Sequence, residues 1–300
     1  MMSRHAAIFA TFLFLNSFAF SQAPTPTPGS RQGNPPSVMA DNARYDRLRS
    51  IEMIAPKNKA GDHPLLDPKS GIYRKPGKEE IQALAVDDSV VAKYAAFLKE
   101  PDTGIVKLNA NSDCVSDTGT ITASEKCLPF KMPGAGIAYS FRTESYRIPR
   151  LADLILHEGI FKTGGAFQQV MIVNLGDIPI EGVTMGTNGL KFLFESKPVK
   201  DSDEFTRNEE AIIKGIERDG FLYRKGEHVK ENSTYALRSI AYRGKYIRSI
   251  DNITYDELDF DRRRDVLIAF RVAEKDPAGN VTIVWKRLKD VESPKLKINK

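Results

Sequence analysis

The chain has 300 residues, 44 Lys+Arg against 39 Asp+Glu, two Cys and a hydrophobic fraction of 41%. Those counts exclude a disordered chain, a disulfide-dense miniprotein, a collagen-like repeat and a polytopic membrane protein. The net charge of +5 is mildly basic and does not by itself call for nucleic acid.

After Arg4 and His5, the run from Ala6 to Phe20 carries Ile8, Phe9, Phe12, Leu13, Phe14, Leu15 and Phe18. At roughly 15 residues it is shorter than the about 20 a membrane-spanning helix needs. It ends in Ala19-Phe20-Ser21, with small residues where a signal peptidase reads them. The pattern predicts a signal peptide over 1–21, cleaved near Ser21, and an exported chain that is periplasmic or extracellular. An uncleaved anchor is the competing reading. No later segment reaches spanning length, so no transmembrane segment is expected in the mature chain. Residues 22–37 alternate Pro with Thr, Gly and Ser, and Pro fixes φ and donates no ladder bond, which predicts an extended tether.

Residues 38–101 read as a helical N-terminal segment. Tyr45, Leu48, Ile51 and Ile54 recur at three-residue steps until Pro56. A Pro- and Gly-rich loop leads to a second helical stretch from Lys78 towards Glu100. There Asp87-Asp88-Ser89 marks a break, with Ser89 expected to cap the second piece.

From 102 to 195 the texture becomes β. Strands are expected at Ile105–Leu108, Gly136–Tyr146, Leu151–Leu156, Phe167–Leu175 and Leu190–Phe194, separated by Gly-containing turns such as Glu158-Gly159 and Gly176-Asp177. Cys114 and Cys127 fall in this region. In an oxidising compartment they are expected to form a structural disulfide, since neither CxxC spacing nor clustered His supports metal or redox use.

Residues 196–300 begin with a helix opened by Asp201 and Glu204, with Phe205, Ile212, Ile213 and Ile216 on one face and Gly220 as its stop. Strands resume at Tyr235–Tyr242, then Val266–Ala273 and Val281–Leu288 as a hairpin through Asp276–Asn280. Pro294–Lys300 reads as a frayed basic tail. The fold class expected is α+β, predominantly antiparallel β in sandwich- or barrel-like sheets, with an N-terminal helical segment and one helix between two β regions. The charged stretch Glu195–Glu210 is a domain boundary if the two β regions do not form one continuous domain.

No motif fixes a reaction: a GxSxG elbow, a Walker loop, HExxH and SxxK are all missing. The catalytic-looking cluster is His157 and Glu158 near Asp153, a His beside acids suited to general base work. Its structural alternative is a solvated hairpin turn. Asp256, Asp259 and Asp261 place oxygen ligands at near-alternate positions, as calcium requires. Arg262-Arg263-Arg264 adjoin them and would neutralise the site, which favours an exposed zwitterionic loop, so no metal and no cofactor is expected.

Between Phe221 and Ile250, Arg224, Lys225, Lys230, Arg238, Arg243, Lys245 and Arg248 face only Glu227 and Glu231, with Phe221, Tyr223, Tyr235, Tyr242 and Tyr246 interleaved. Arg238, Arg243, Lys245 and Arg248 are the expected contact surface for an anionic envelope polymer or another exported protein. Nucleic acid is not expected, given export. The alternative has the cations solvated and the tyrosines packed inward. Sequons stand at Asn232, Asn252 and Asn280, the last where a hairpin turn would expose it. Taken together, these features predict an exported, non-catalytic binding or structural module of the periplasm or cell surface. The alternative is a hydrolase acting on an envelope or extracellular polymer.

Overall fold

The computed structural model describes residues 60–115 and 121–299. The signal run, the tether and the helix expected at Asp41–Ile54 lie outside the described residues. Within them, no helix is long and apolar enough to cross a membrane.

A central antiparallel sheet organises the described chain. Its strands, in spatial order, are β1 (Thr103–Leu108), β14 (Val281–Glu292), β13 (Arg264–Lys275), β10 (Thr234–Ala241) and β6 (Gln168–Gly176). β1 and β6 thus pair in the same sheet as β10, β13 and β14, so the two β regions of the sequence form one sheet system. A second antiparallel sheet runs β3 (Ser145–Tyr146), β2 (Ala138–Ser140), β4 (Leu154–His157), β5 (Ile160–Lys162) and β9 (Gly226–His228). Two hairpins complete the β structure, β7 (Ile216–Arg218) with β8 (Phe221–Tyr223) and β11 (Ile247–Ile250) with β12 (Ile253–Asp256). The architecture is mixed α+β and mostly antiparallel, and the sheets do not close into a barrel.

All eight positions of β10 are buried because both faces of the central sheet are covered. On one face Ile172, Tyr235, Leu237, Ile268, Phe270, Ile283 and Trp285 meet Tyr139, Phe141, Leu154, Leu156 and Phe161 of the small sheet. The rings interlock there: Phe270 stacks on Tyr235 and takes Phe161 edge-on, with centroids 5.2 Å apart in both pairs. The Trp285 indole lies flat against β1 at Gly104, where an added Cβ would sit 2.5 Å from the ring. The opposite face, with Val173, Ala236, Leu267, Ala269 and Val284, packs against helical residues Val90, Leu190, Leu193 and Ile212. Strands sandwiched this way lose the simple in–out alternation and become apolar throughout.

The helices depart from expectation in three places. The stretch after Lys78 does break, into α1 (Lys78–Gln82) and α2 (Asp88–Lys93), but Asp87 rather than Ser89 is the cap, accepting from the Ser89 amide at 2.8 Å. Leu190–Phe194 is not a strand but part of α3 (Leu190–Glu195). Its alternating apolar residues resolve as Leu190 and Leu193 inward and Phe194 out, and the layer covering the sheet decides the matter over local pattern. The next helix, α4 (Ser202–Lys214), has the expected Asp201 cap, accepting from the amides of Asp203 and Glu204 at 3.1 and 2.9 Å. It stops at Gly215, however, not Gly220. Gly220 instead forms, with Asp219, the two-residue turn of the β7–β8 hairpin. Both residues are left-handed (φ 80 and 52), so Arg218 belongs to a strand.

The C-terminal tail is not frayed. The Arg243 amide donates to Pro294 O, and Leu296 N donates to Arg243 O, at 3.0 and 2.9 Å. Lys297 N then reaches Lys200 O, and Ser202 N reaches Lys297 O, at 3.1 and 2.8 Å. The segment is a strap laid between the end of β10 and the start of α4, with Leu296 buried among Val199, Phe205, Tyr242 and Tyr246. Cys114 and Cys127 are bonded, with Cα atoms 5.3 Å apart, and are fully buried.

Candidate functional site

Three of the charged residues singled out from sequence, Asp153, Asp261 and Arg238, have their side chains inside the protein, held by partners. Arg142, in the β2–β3 turn, and Asp153, just before β4, are fully buried and paired at 2.8 Å. The Arg142 guanidinium also engages Asp261 and donates to the carbonyls of Arg262 and Leu151 at 2.7 and 3.0 Å. Asp153 accepts further bonds from Ser239 Oγ at 2.6 Å and Gln168 Nε2 at 2.7 Å. Asp261 is also bound by Arg263 at 2.7 Å, on the same Oδ2 that Arg142 engages. Burial alone would raise the Asp261 carboxyl, but Arg142 and Arg263 outweigh it and hold it below the ordinary carboxylate range. Burial pushes Arg263 down, to about 10, against the attraction of Asp261.

Two further buried groups follow the same logic. Arg238 is 1% exposed, a correction to its expected place on a contact surface. It forks onto Asp265 at 3.0 and 2.9 Å and donates to the carbonyls of Leu193 and Ser196 at the end of α3. Lys289 also reaches Asp265, at 2.8 Å. Glu257 is fully buried and accepts from Tyr73 Oη at 2.6 Å and Arg150 Nη2 at 3.0 Å, with Arg248 3.8 Å away. The segment from Asp256 to Asp265 is therefore not the exposed zwitterionic loop its charge pattern suggests. Glu257, Asp261, Arg263 and Asp265 bind buried partners there, while Asp259 and Arg262 are exposed.

The three carboxylates proposed as calcium ligands do not converge. Asp256 Oδ1 accepts from Tyr246 N and Leu258 N at 2.9 and 3.0 Å, and Asp261 is sealed in the Arg142 cluster. Asp259 is exposed, and partial desolvation, then the neighbouring Asp256 charge, raises its carboxyl. Among the described residues no three His, Cys, Asp or Glu gather as metal ligands.

His157 ends β4 and points outward, its Nε2 3.7 Å from the exposed Glu158 carboxylate. Glu158 and Gly159, both left-handed (φ 51 and 72), form the β4–β5 turn. Asp153 is four residues of chain away, about 13 Å if extended, and committed to Arg142, so the three do not meet. His228 does come near: the register His157↔Ile160↔His228 puts both rings on the outer face of the small sheet. Two strand spacings separate them, about 10 Å. His63 is elsewhere, 2.9 Å from Asp251.

The tyrosines of the basic stretch are not available for stacking: Tyr223, Tyr235, Tyr242 and Tyr246 are all buried. Its cations are largely paired, Arg224 with Glu227, Lys225 with Glu209 and Arg243 with Glu292. Arg248 is half-buried beside Glu257. Arg243 and Lys245 are exposed, and the strap brings others to them. A parallel bridge sets Arg243 beside Lys295, and another sets Asp201 beside Lys297. With Leu296 facing the core, Lys295 and Lys297 face solvent, next to exposed Lys200. Lys200, Arg243, Lys295 and Lys297 therefore follow one seam, with Glu292 and Asp201 beside them and Lys245 two residues beyond Arg243. The alternation Lys295-Leu296-Lys297-Ile298 was the available strand signal for it.

The sequon residue Asn280 is partly buried. Its side chain accepts from Ala110 N at 2.9 Å and donates to Asp276 at 3.0 Å, so it is not the free turn residue expected. No protein-family model, curated protein or solved structure matches the chain.

Proposed function

We propose that this chain is an exported, non-catalytic binding module that holds an anionic envelope polymer along its C-terminal seam. The observation that carries the reading is the gathering of Lys200, Arg243, Lys295 and Lys297 by the strap, with exposed Lys245 two residues beyond Arg243. Lys200, Lys295 and Lys297 have no ion-pair partner among the described residues, so their charge is available to a ligand. Export is supported by the leader run Ala6–Phe20 and by the buried disulfide, which suits an oxidising compartment. Asp153, Asp261 and Arg238 serve the interior, and Glu158 stands exposed beside His157 with no further acid, which favours binding over turnover.

The test is retention of the full chain on polygalacturonate as a function of salt. Changing Arg243, Lys245, Lys295 and Lys297 together to Ala removes four exposed cations. Each polyanion contact adds about 0.7 to the logarithmic salt slope, so that slope should fall by roughly 3. Retention and slope equal to the parent chain would refute the proposal.

A further inference from the structure

Strands β5 and β9 frame a groove of about 370 Å³ on the outer face of the small sheet, lined by Ile160, Lys162, Thr163, Lys225, Gly226 and His228, with Arg224 at its rim. We infer that it is a binding site for a small organic carboxylate of sugar size, of the uronic-acid type. The register pairs Ile160 with His228 and Lys162 with Gly226, so these four residues share one face. Lys162 and His228 are then diagonal neighbours, about 7–8 Å apart at the backbone, a span one carboxylate can bridge.

The charge around the groove is divided in a useful way. Arg224 is locked onto Glu227 by two bonds of 2.7 and 3.0 Å, and Lys225 is locked onto Glu209 of α4. Those pairs fix the walls. Lys162 and His228 are exposed, with no ion pair among the described residues, and no unpaired acid lines the groove. The uncommitted charge is therefore cationic and small, which suits a single carboxylate better than a polyphosphate.

The floor is the Ile160 side chain and the bare backbone of Gly226. A Cβ at Gly226 would stand 3.6 Å from Ile160 Cγ2 and occupy the space a ligand ring would fill. Glycine inside a strand often marks such a close approach. The Thr163 hydroxyl donates to Lys225 O at 2.9 Å and keeps its lone pairs for a sugar hydroxyl. The volume lies within the range of small-molecule sites.

The groove shares no residue with the cationic seam, so the two stand or fall separately. The experiment is a titration of the full chain with sodium glucuronate, followed by amide shifts of Thr163 to Gly226, with methyl glucoside as the neutral control. Saturable shifts with glucuronate and none with the glucoside are expected. Lys162→Ala with His228→Ala should weaken binding at least about tenfold, while the four-residue seam variant should bind as the parent does. Lack of saturation, equal response to the glucoside, or unchanged affinity in the Lys162/His228 variant would each overturn the assignment.

Discussion

Arg142→Leu is the most informative single perturbation of the fold. The guanidinium makes charged bonds to Asp153 and Asp261 and donates to two backbone carbonyls, all without contact with water. Leucine fills part of the space but leaves both carboxylates short of their main counter-charge. Asp153 retains Ser239 and Gln168, and Asp261 retains Arg263, so neither is abandoned. Removing one partner of a buried pair costs about 3–5 kcal/mol, and the remaining partners place the expectation near the lower end, about 3 kcal/mol. With a urea m value of about 3 kcal/mol/M, the unfolding midpoint should fall by roughly 1 M. Equilibrium urea unfolding followed by Trp285 fluorescence and by circular dichroism reads both midpoint and slope. A loss under about 1 kcal/mol at unchanged m would show that the cluster does not hold the layers together.

The remaining expectations concern pH, the strap and the disulfide. Asp261 and Asp265 are both held below the ordinary carboxylate range by arginine and lysine partners that outweigh burial. Their contribution is complete above the unfolded value near about 4 and is lost as pH falls through the lower folded values. The urea midpoint should therefore drop below about pH 4, with a shallower drop in Asp261→Asn, and an equal drop in that variant would contradict the assignment. Leu296→Ala should cost about 3 kcal/mol and lower Tm by roughly 6–12 °C, whereas a truly frayed tail would show no change. Replacing Cys114 and Cys127 by Ser opens a loop of sequence separation 13 and should cost about 3 kcal/mol, measured against the parent under non-reducing conditions.

What sequence inspection could see was local periodicity. β13 and β14 were visible because Val266, Ile268, Phe270 and Val272 alternate with residues of another kind and Asp276–Asn280 supplies a turn. α4 was visible because Asp201 and Glu204 mark its start. α3 was not, because Leu190, Phe192 and Phe194 alternate like a strand and the cue for a helix is tertiary: Arg238, 42 positions beyond Ser196, gathers the carbonyls at its end.

The same distance in sequence hid the site. A run such as Asp256–Asp265 looks solvated unless the partners Arg142, Arg150 and Tyr73 are known to be opposite it, more than 100 residues away. Charge patterns along a chain report composition, whereas burial of charge is set by pairs that only the fold creates. The groove between β5 and β9 escaped for a related reason. Lys162 and His228 become neighbours through strand register alone.

The position of β1 has a consequence for how this protein is made. Its one strand neighbour is β14, and Arg287 N donates to Asp102 O at 2.8 Å across 185 residues of sequence. At synthesis rates of about 5–20 residues per second, β1 waits roughly 10–40 s for the partner that completes its edge. The strap behind β14 closes later still. A sheet whose edge strand must wait for β14 has no early, self-sufficient half, and such long-range pairing folds slowly. Under the export proposed above, that delay would keep the chain threadable until β14 has been made, while leaving an unsatisfied strand edge to be shielded in the meantime.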